Sequence, residues 1–222
     1  MLKFNLENLL EIISEGESLN VEFKQKFTEH EKIAKELIAF ANTKGGMLIF
    51  GVRDNGKVLG IESEKEIDEL VKITANVYCN PPVEYELNFY EDKNKLLAVV
   101  SVPESQKKPH RIEDYKKQLD LNTAQVYVRV NDKSVLASKE MIKILQIRAE
   151  KSPLKNYAVG KNERIVFDFL EENDSITAKK LSKLANISYR RASRTLINLV
   201  RADLLYIHTN DKGESYFTYA GD

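Results

Sequence analysis

The most informative stretch of this chain is AFANTKGGMLIFGVRDNGKVLGI at residues 39–61, and ESLNVEFKQKF precedes it at residues 17–27. The run GGMLIFGV is apolar without a break between glycines, which predicts a strand buried on both faces. Residues 54–57 read DNGK, and Asn-Gly tolerates the positive φ angles of a tight turn. The apolar segment after the turn is therefore predicted to return as a strand paired with the first.

Apolar patterns on either side predict further helices and strands. Helical periodicity predicts helices at residues 6–13, 31–42, 63–78 and 138–150. Alternating or continuous apolar runs predict strands at residues 18–23, 83–90, 95–103, 124–130 and 134–138. Together these segments are expected to form one α+β domain over residues 1–152.

A linker and a smaller domain are predicted after this point. Ser152-Pro153 and Gly160-Lys161 interrupt regular structure, which indicates a linker at residues 153–161. Residues 162–222 then show three helical segments followed by two strands around Asp211-Lys212-Gly213. This order is that of a winged helix-turn-helix domain.

Composition excludes several classes of protein. The 222 residues carry 34 Lys+Arg and 34 Asp+Glu, so binding of nucleic acid by bulk positive charge is excluded, although a local basic face is not. The single cysteine excludes a disulfide within the chain and a cysteine-rich zinc site. No run approaches the ~18 apolar residues of a membrane helix, so we expect no membrane partner and a cytoplasmic protein.

The last helix of the smaller domain carries the clearest functional signal. Arg190, Arg191 and Arg194 fall in its first two turns with Tyr189 and Ser193. Arginine pairs bidentately with guanine and hydroxyls reach phosphates, so this helix is predicted to enter the major groove of duplex DNA. Lys212 at the tip of the wing could add a phosphate contact. The alternative is a solvated basic face on a helix that only packs, with the wing used for dimerisation.

Three carboxylates near the first stretch form a second candidate site. Glu17 and Glu22 lie near the start of a strand, and Asp54 follows the buried strand. Carboxylate oxygens suit Mg²⁺ or Mn²⁺, which could activate water for phosphodiester cleavage. Alternatively, Glu17 caps a turn, Glu22 pairs with Lys24 or Lys26, and Asp54 starts an Asx-turn.

Nucleotide binding is not expected at residues 42–46. The segment NTKGG ends a helix, and no GxxxxGK[ST] motif is present, so we expect no ATP. The glycines instead suit a helix C-cap or a close backbone approach.

Scattered basic residues of the first domain are the remaining candidates. Lys24 and Lys26 are predicted to share one face of a strand. His110 could be a general acid or a phosphate contact. Alternatively, these charges only solvate the surface. The candidate nucleic-acid contacts of this domain are Lys24, Lys26, Lys44, Arg53, Lys108, Arg111 and Arg129.

The strings ESLNVEFK and AFANTKGGMLIFGVRDNGKVLG resemble the Schlafen/AlbA-type DNA-binding domain family. The later strings KKPHR and VYVRVNDKSVLAS resemble its closing strands, so the resemblance spans roughly residues 10–150. It implies an AlbA-like mixed sheet with helices. Prokaryotic members are often joined to a winged helix and described as transcriptional regulators.

Animal Schlafens imply an enzymatic alternative. Some are metal-dependent endoribonucleases that cleave tRNA and rRNA, with two glutamates in the string E-x-x-N-x-E-F-K. The resemblance carries those glutamates to Glu17 and Glu22, with Asp54 as a third member. The Schlafen zinc site does not carry over. Animal Schlafens have two such lobes that form a groove, so this chain would need a homodimer to form an equivalent one.

The sequence therefore favours a DNA-binding transcriptional regulator that acts as a homodimer on duplex DNA without a cofactor. The alternative is an endoribonuclease acting on structured RNA with Mn²⁺ or Mg²⁺. A third hypothesis is a module without catalytic activity whose winged helix binds protein.

Overall fold

The computed structural model describes residues 5–149 and 158–220, and the contacts divide the chain into two compact units. Unit 1 is Met1–Leu136 and unit 2 is Ala137–Asp222. This boundary lies earlier than the one predicted at residue 152. The helix predicted to close the first domain instead packs in unit 2, where Ile144 is buried in the core. Residues 153–157 of the predicted linker lie outside the described residues.

Unit 1 is built around a mixed sheet. Its helices are α1 (Leu6–Glu15), α2 (His30–Asn42) and α3 (Glu64–Ile73), the last followed by a π-helical turn at Thr74–Tyr78. Its strands are β1 (Val21–Lys24), β2 (Gly46–Phe50), β3 (Cys79–Asn80), β4 (Glu86–Asp92), β5 (Lys95–Val102), β6 (Arg111–Ile112), β7 (Tyr127–Val130) and β8 (Lys133–Leu136). The sheet order is β1-β2-β5-β4, and only β1 and β2 run parallel. The other strands form the pairs β3/β6 and β7/β8.

The central strand β2 is covered on both faces, as its apolar sequence predicts. Leu48 and Phe50 pack in the cluster that includes α2, whereas Ile49 packs in the cluster that includes α1. Alternate side chains of a strand point to opposite faces, so this short strand joins both cores of unit 1.

The glycine pair between α2 and β2 allows a very close approach. Gly45 has a φ of 75°, and a Cβ there would lie 2.6 Å from the Val102 carbonyl oxygen. A Cβ on Gly46 would lie 2.3 Å from the Phe40 ring. The NTKGG segment is therefore an architectural turn that brings β2 tightly against the helix before it.

The strand predicted to return after the Asn-Gly turn is reduced to isolated bridges. The turn itself forms as predicted, with Gly56 N–H donating to the Arg53 carbonyl at 2.8 Å. Val58 pairs with Val52, which follows β2, but three residues later Ile61 pairs with Leu96 of β5. The segment changes partner too soon to form a ladder.

Unit 2 contains helices followed by one hairpin. Its elements are α4 (Lys139–Ala149), α5 (Lys161–Glu172), α6 (Ala178–Leu184), α7 (Tyr189–Arg201), β9 (Leu205–Thr209) and β10 (Ser215–Tyr219). The strands β9 and β10 pair antiparallel, and Ile176 adds a bridge to Phe217. The core includes Ile144, Val166 and Leu196.

The chain is thus a mixed α+β protein built on a mixed sheet with helices, as expected. Across residues 5–149 and 158–220, no helix has both the length and the apolar character needed to cross a membrane.

Candidate functional site

Helix α7 separates a basic face from a packed face. Ser188 caps its start, since its hydroxyl accepts the Arg191 N–H at 3.3 Å. Arg190, Arg191 and Arg194 are exposed, whereas the apolar positions Ala192, Leu196, Leu199 and Val200 are buried. Ser193 is also buried and therefore does not reach a ligand as the sequence suggested.

The three arginines of α7 lack partners within unit 2. None of their guanidinium groups forms a hydrogen bond or an ion pair with any residue in the ranges 5–149 and 158–220. Three neighbouring cations, none of which forms an ion pair, make this helix face attractive to an anion.

These arginines line a groove of about 980 Å³ between α7 and the start of α5. Sequence reasoning missed the residues that complete it. The polar side chains added by the structure are those of Lys161, Asn162, Glu163 and Asn198. The signal was present in the helical spacing, because Asn198 lies four residues after Arg194 on the same face.

Tyr189 is tied to α4. Burial raises the pKa of its phenol, and the neighbouring charge of Glu140 and a hydrogen bond to that carboxylate raise it further. Glu140 itself is buried. The predicted contact residue Tyr189 therefore also fixes the start of α7 within unit 2.

Lys212 lies at the tip of the β9/β10 hairpin, where the sequence places it. Its backbone N–H donates to the Asn210 side chain at 3.0 Å, and its side chain is exposed. The position suits a contact with a bound polyanion.

The predicted carboxylates lie on three segments around β1 and β2, with Glu17 before β1, Glu22 within β1 and Asp54 after β2. Glu17 folds back beside β1, and its carboxylate accepts the Phe23 N–H at 2.9 Å. Burial raises the pKa of Glu17, the Phe23 hydrogen bond lowers it, and the charges of Glu22 and Asp54 raise it. Asp54 itself is exposed beside the Asn-Gly turn.

Glu22 is already neutralised by two cations. One carboxylate oxygen is in contact with the Lys24 ammonium group, and the other accepts from Arg129 at 2.8 Å. A divalent cation at Glu22 would compete with both. Within the part of the chain that the structure describes, no group of three or more histidine, cysteine, aspartate or glutamate side chains is arranged to hold a metal ion. The metal triad therefore stays a prediction based on the resemblance.

Arg129 lies in the interior and is not a surface contact. Its guanidinium group bonds Glu22, Glu36 at 3.3 Å and the Ser18 carbonyl at 2.7 Å. The group also lies 4.9 Å from the centre of the Phe40 ring. This placement corrects the predicted nucleic-acid role: Arg129 joins β7 to β1 and α2.

Two other predicted contacts of unit 1 are also engaged within the fold. Arg111 is buried and bonds Asp114 at 3.3 Å and the Lys116 carbonyl at 2.8 Å. Lys108 is only 11% exposed and bonds Glu104 and the Thr43 carbonyl. These contacts correct both predictions, because each cation already has partners.

His110 is a structural residue. It is buried, and its ring nitrogens bond the Pro81 carbonyl and the Ser105 hydroxyl at 2.8 and 2.7 Å. Burial lowers the pKa of His110. The Asn42 side chain donates to the His110 carbonyl and accepts the His110 N–H. Neither a phosphate contact nor general-acid chemistry therefore fits this position.

The remaining predicted cations are accessible but scattered. Strand β1 ends at Lys24, so Lys26 lies after it and does not share a strand face with Lys24. Lys26 lines a second concavity of about 410 Å³ with Phe27 and Ile61. Lys44 and Arg53 are exposed in separate turns.

The chain matches the family model described as Schlafen, AlbA_2 over residues 17–138. The match spans more than half of the chain, and the protein belongs to this family. The resemblance found in the sequence is thus confirmed.

Two solved structures are similar to this chain. One is the N-terminal domain of a putative ATP-dependent DNA helicase RecG-related protein from Nitrosomonas europaea, which is 23% identical to this chain. The match covers 53% of this chain and 84% of that domain, with a TM-score of 0.41. The DIP2311 protein from Corynebacterium diphtheriae is 15% identical and covers 89% of this chain, with a TM-score of 0.49. This chain spans 36% of that protein.

Proposed function

We propose that this chain is a nucleic-acid-binding protein whose unit 2 is a winged helix-turn-helix that binds duplex DNA. The observation that carries the proposal is the exposed face of α7, where Arg190, Arg191 and Arg194 have no partners among the described residues. Adjacent cations repel one another, and a phosphate backbone relieves that repulsion with release of counterions.

The arrangement of unit 2 supports this mode of binding. The packed face of α7 leaves its arginines directed away from the core, as a recognition helix requires. Arginine can pair with guanine through two hydrogen bonds, and Lys212 is available for a phosphate at the hairpin tip. Membership of the Schlafen, AlbA_2 family supports nucleic acid as the class of ligand.

The physiological role that we propose is transcriptional regulation. Binding of duplex DNA without chemistry on it is sufficient for a regulator, and no cofactor is needed for the contacts described. We further propose a homodimer, because two copies of α7 could then read half-sites ~34 Å apart on one face of the duplex.

The test is duplex binding by the full chain, measured by fluorescence anisotropy over a series of salt concentrations. Arg190→Ala/Arg194→Ala should weaken binding at least ~10-fold and lower the salt slope by about 2, because two contacts are lost. The matched control is Arg148→Ala/Arg164→Ala, which removes the same charge from exposed positions of unit 2 outside the groove.

Equal affinity and salt slope in wild type and the α7 variant would refute the proposal. Parallel samples of tRNA with EDTA or with Mn²⁺ separate binding from cleavage. Cleavage of tRNA only with Mn²⁺, and its loss in Glu17→Gln, would instead support the endoribonuclease.

A further inference from the structure

Tyr115 projects from unit 1 with almost its whole side chain in solvent. It lies between β6 and β7 and is 87% exposed, the highest value among the exposed large hydrophobic side chains of the described residues. Its φ is 58°, in the left-handed region that bulky residues rarely adopt. An exposed aromatic ring and an unfavourable backbone conformation at one residue together suggest a functional constraint.

The loop that carries Tyr115 is braced on both sides. The Glu113 carboxylate accepts the Tyr115 N–H at 2.6 Å and is also bonded by the Asn80 side chain at 3.1 Å. On the other side, buried Arg111 bonds both Asp114 and the Lys116 carbonyl. The ring is therefore presented from a fixed backbone, which lowers the entropic cost of binding a partner.

Two acidic residues precede Tyr115 in the loop and two lysines follow it. Glu113 and Asp114 each accept a backbone N–H from the loop, and Asp114 is also paired with Arg111. Lys116 and Lys117 follow the ring and are exposed. The Lys116 ammonium bonds the Thr123 hydroxyl at 2.7 Å, whereas the Lys117 side chain has no partner among the residues described.

We propose that Tyr115 stacks on an unpaired nucleobase, with Lys117 contacting a neighbouring phosphate. Aromatic rings beside cations are the usual means of binding single-stranded nucleic acid. The centre of a protein interface is depleted of charge, but the neighbours of this ring in sequence are Glu113, Asp114, Lys116 and Lys117. The site lies in unit 1 and is independent of duplex binding by α7.

The chain lacks tryptophan, so Tyr115→Trp introduces a single fluorescent reporter at the site. Its emission should be quenched, to saturation, by single-stranded oligonucleotides, because a stacked base quenches indole. A duplex of the same length should quench much less, since its bases are already stacked. Val77→Trp is the matched control at another exposed position of unit 1, and its emission should not change.

Affinity for single strands gives the second readout. Tyr115→Ala should weaken binding by roughly 5- to 100-fold, the range for loss of one stacked base, whereas Tyr115→Phe should remain within about 3-fold of wild type. Duplex affinity should be unchanged in both variants. A circular dichroism spectrum equal to that of wild type verifies folding of each variant.

Two results would overturn the proposal. One is an unquenched tryptophan at position 115 with every oligonucleotide, together with wild-type affinity in Tyr115→Ala. The other is a change in emission on concentrating the protein alone, which would assign the ring to a contact between copies. Duplex binding by α7 is measured with duplex DNA and binding at Tyr115 with single-stranded oligonucleotides. A negative result for one proposal therefore leaves the other unaffected.

Discussion

Replacement of Arg129 by methionine should strongly destabilise unit 1. The guanidinium group is fully buried and contacts the carboxylates of Glu22 and Glu36 at 2.8 and 3.3 Å. It also donates to the backbone carbonyls of Ser18 and Leu19. Methionine fills a similar length but donates no hydrogen bond, so both carboxylates lose their shared cation.

The expected loss follows from the charges left behind. Removing one partner of a buried ion pair costs about 3–5 kcal/mol, because the other charge remains uncompensated. Here Glu22 keeps its contact with Lys24 and Glu36 keeps the hydrogen bond from Ser134, so we expect about 3 kcal/mol, the lower end of that range. A typical domain is stable by only about 5–15 kcal/mol, so unit 1 should unfold at much lower denaturant concentration.

The assay is urea unfolding of the full chain, followed by circular dichroism. Arg53→Met is the matched control, because the exposed Arg53 should change the free energy of unfolding by less than about 0.5 kcal/mol. Combining Arg129→Met with Glu22→Gln and Glu36→Gln should recover about 2 kcal/mol or more, because no buried charge is then left unpaired. A loss below about 1 kcal/mol in Arg129→Met would show that these carboxylates are stabilised by something else.

Three further outcomes test other parts of unit 1. Gly45→Ala should cost more in urea unfolding than Gly16→Ala, because only at Gly45 would the Cβ meet a backbone atom, the Val102 carbonyl oxygen, whereas the positive φ costs about 1–3 kcal/mol at either glycine. Burial raises the pKa of Cys79 to about 12, so a thiol reagent at pH 8 should modify it only after urea is added; rapid modification of the native protein would contradict its burial. Burial lowers the pKa of His110, so the unfolded chain binds its proton first. The contribution of His110 to the free energy of unfolding should be complete above about pH 6.5 and should be lost as the pH falls below that value. The variant His110→Gln should lack this pH dependence in urea titrations.

Elements whose signals are local could be predicted from the sequence. Serine and threonine are typical N-caps of helices, and the side chains of Ser63, Thr177 and Ser188 each accept a backbone N–H three residues later. The Asn-Gly turn and the doubly buried strand β2 also formed as expected. These features depend on residues a few positions apart, so a linear pattern contains the information.

The interior of unit 1 could not be predicted in the same way. The sequence predicted surface positions for three polar residues that the structure buries, Arg111, Arg129 and His110. Their burial depends on distant partners: Asn42 meets His110 across 68 positions and Glu22 meets Arg129 across 107. No local periodicity reports such pairs.

On α7 the arginines were identified, but their groove was not. The helical pattern alone separated the exposed arginines from the packed positions. Lys161 and Asn162 join them from a different helix, α5, and only the packing of unit 2 brings the two helices together.

The position of Arg129 late in unit 1 also constrains the order of events during synthesis. Glu22 emerges 107 residues before its partner, which corresponds to ~5–20 s at the usual rates of translation. Until then, the carboxylates of Glu22 and Glu36 lack the Arg129 guanidinium group that they share in the folded unit. The β7–β8 hairpin therefore supplies the buried partner that joins β1 to α2 only after both of those elements have been synthesised.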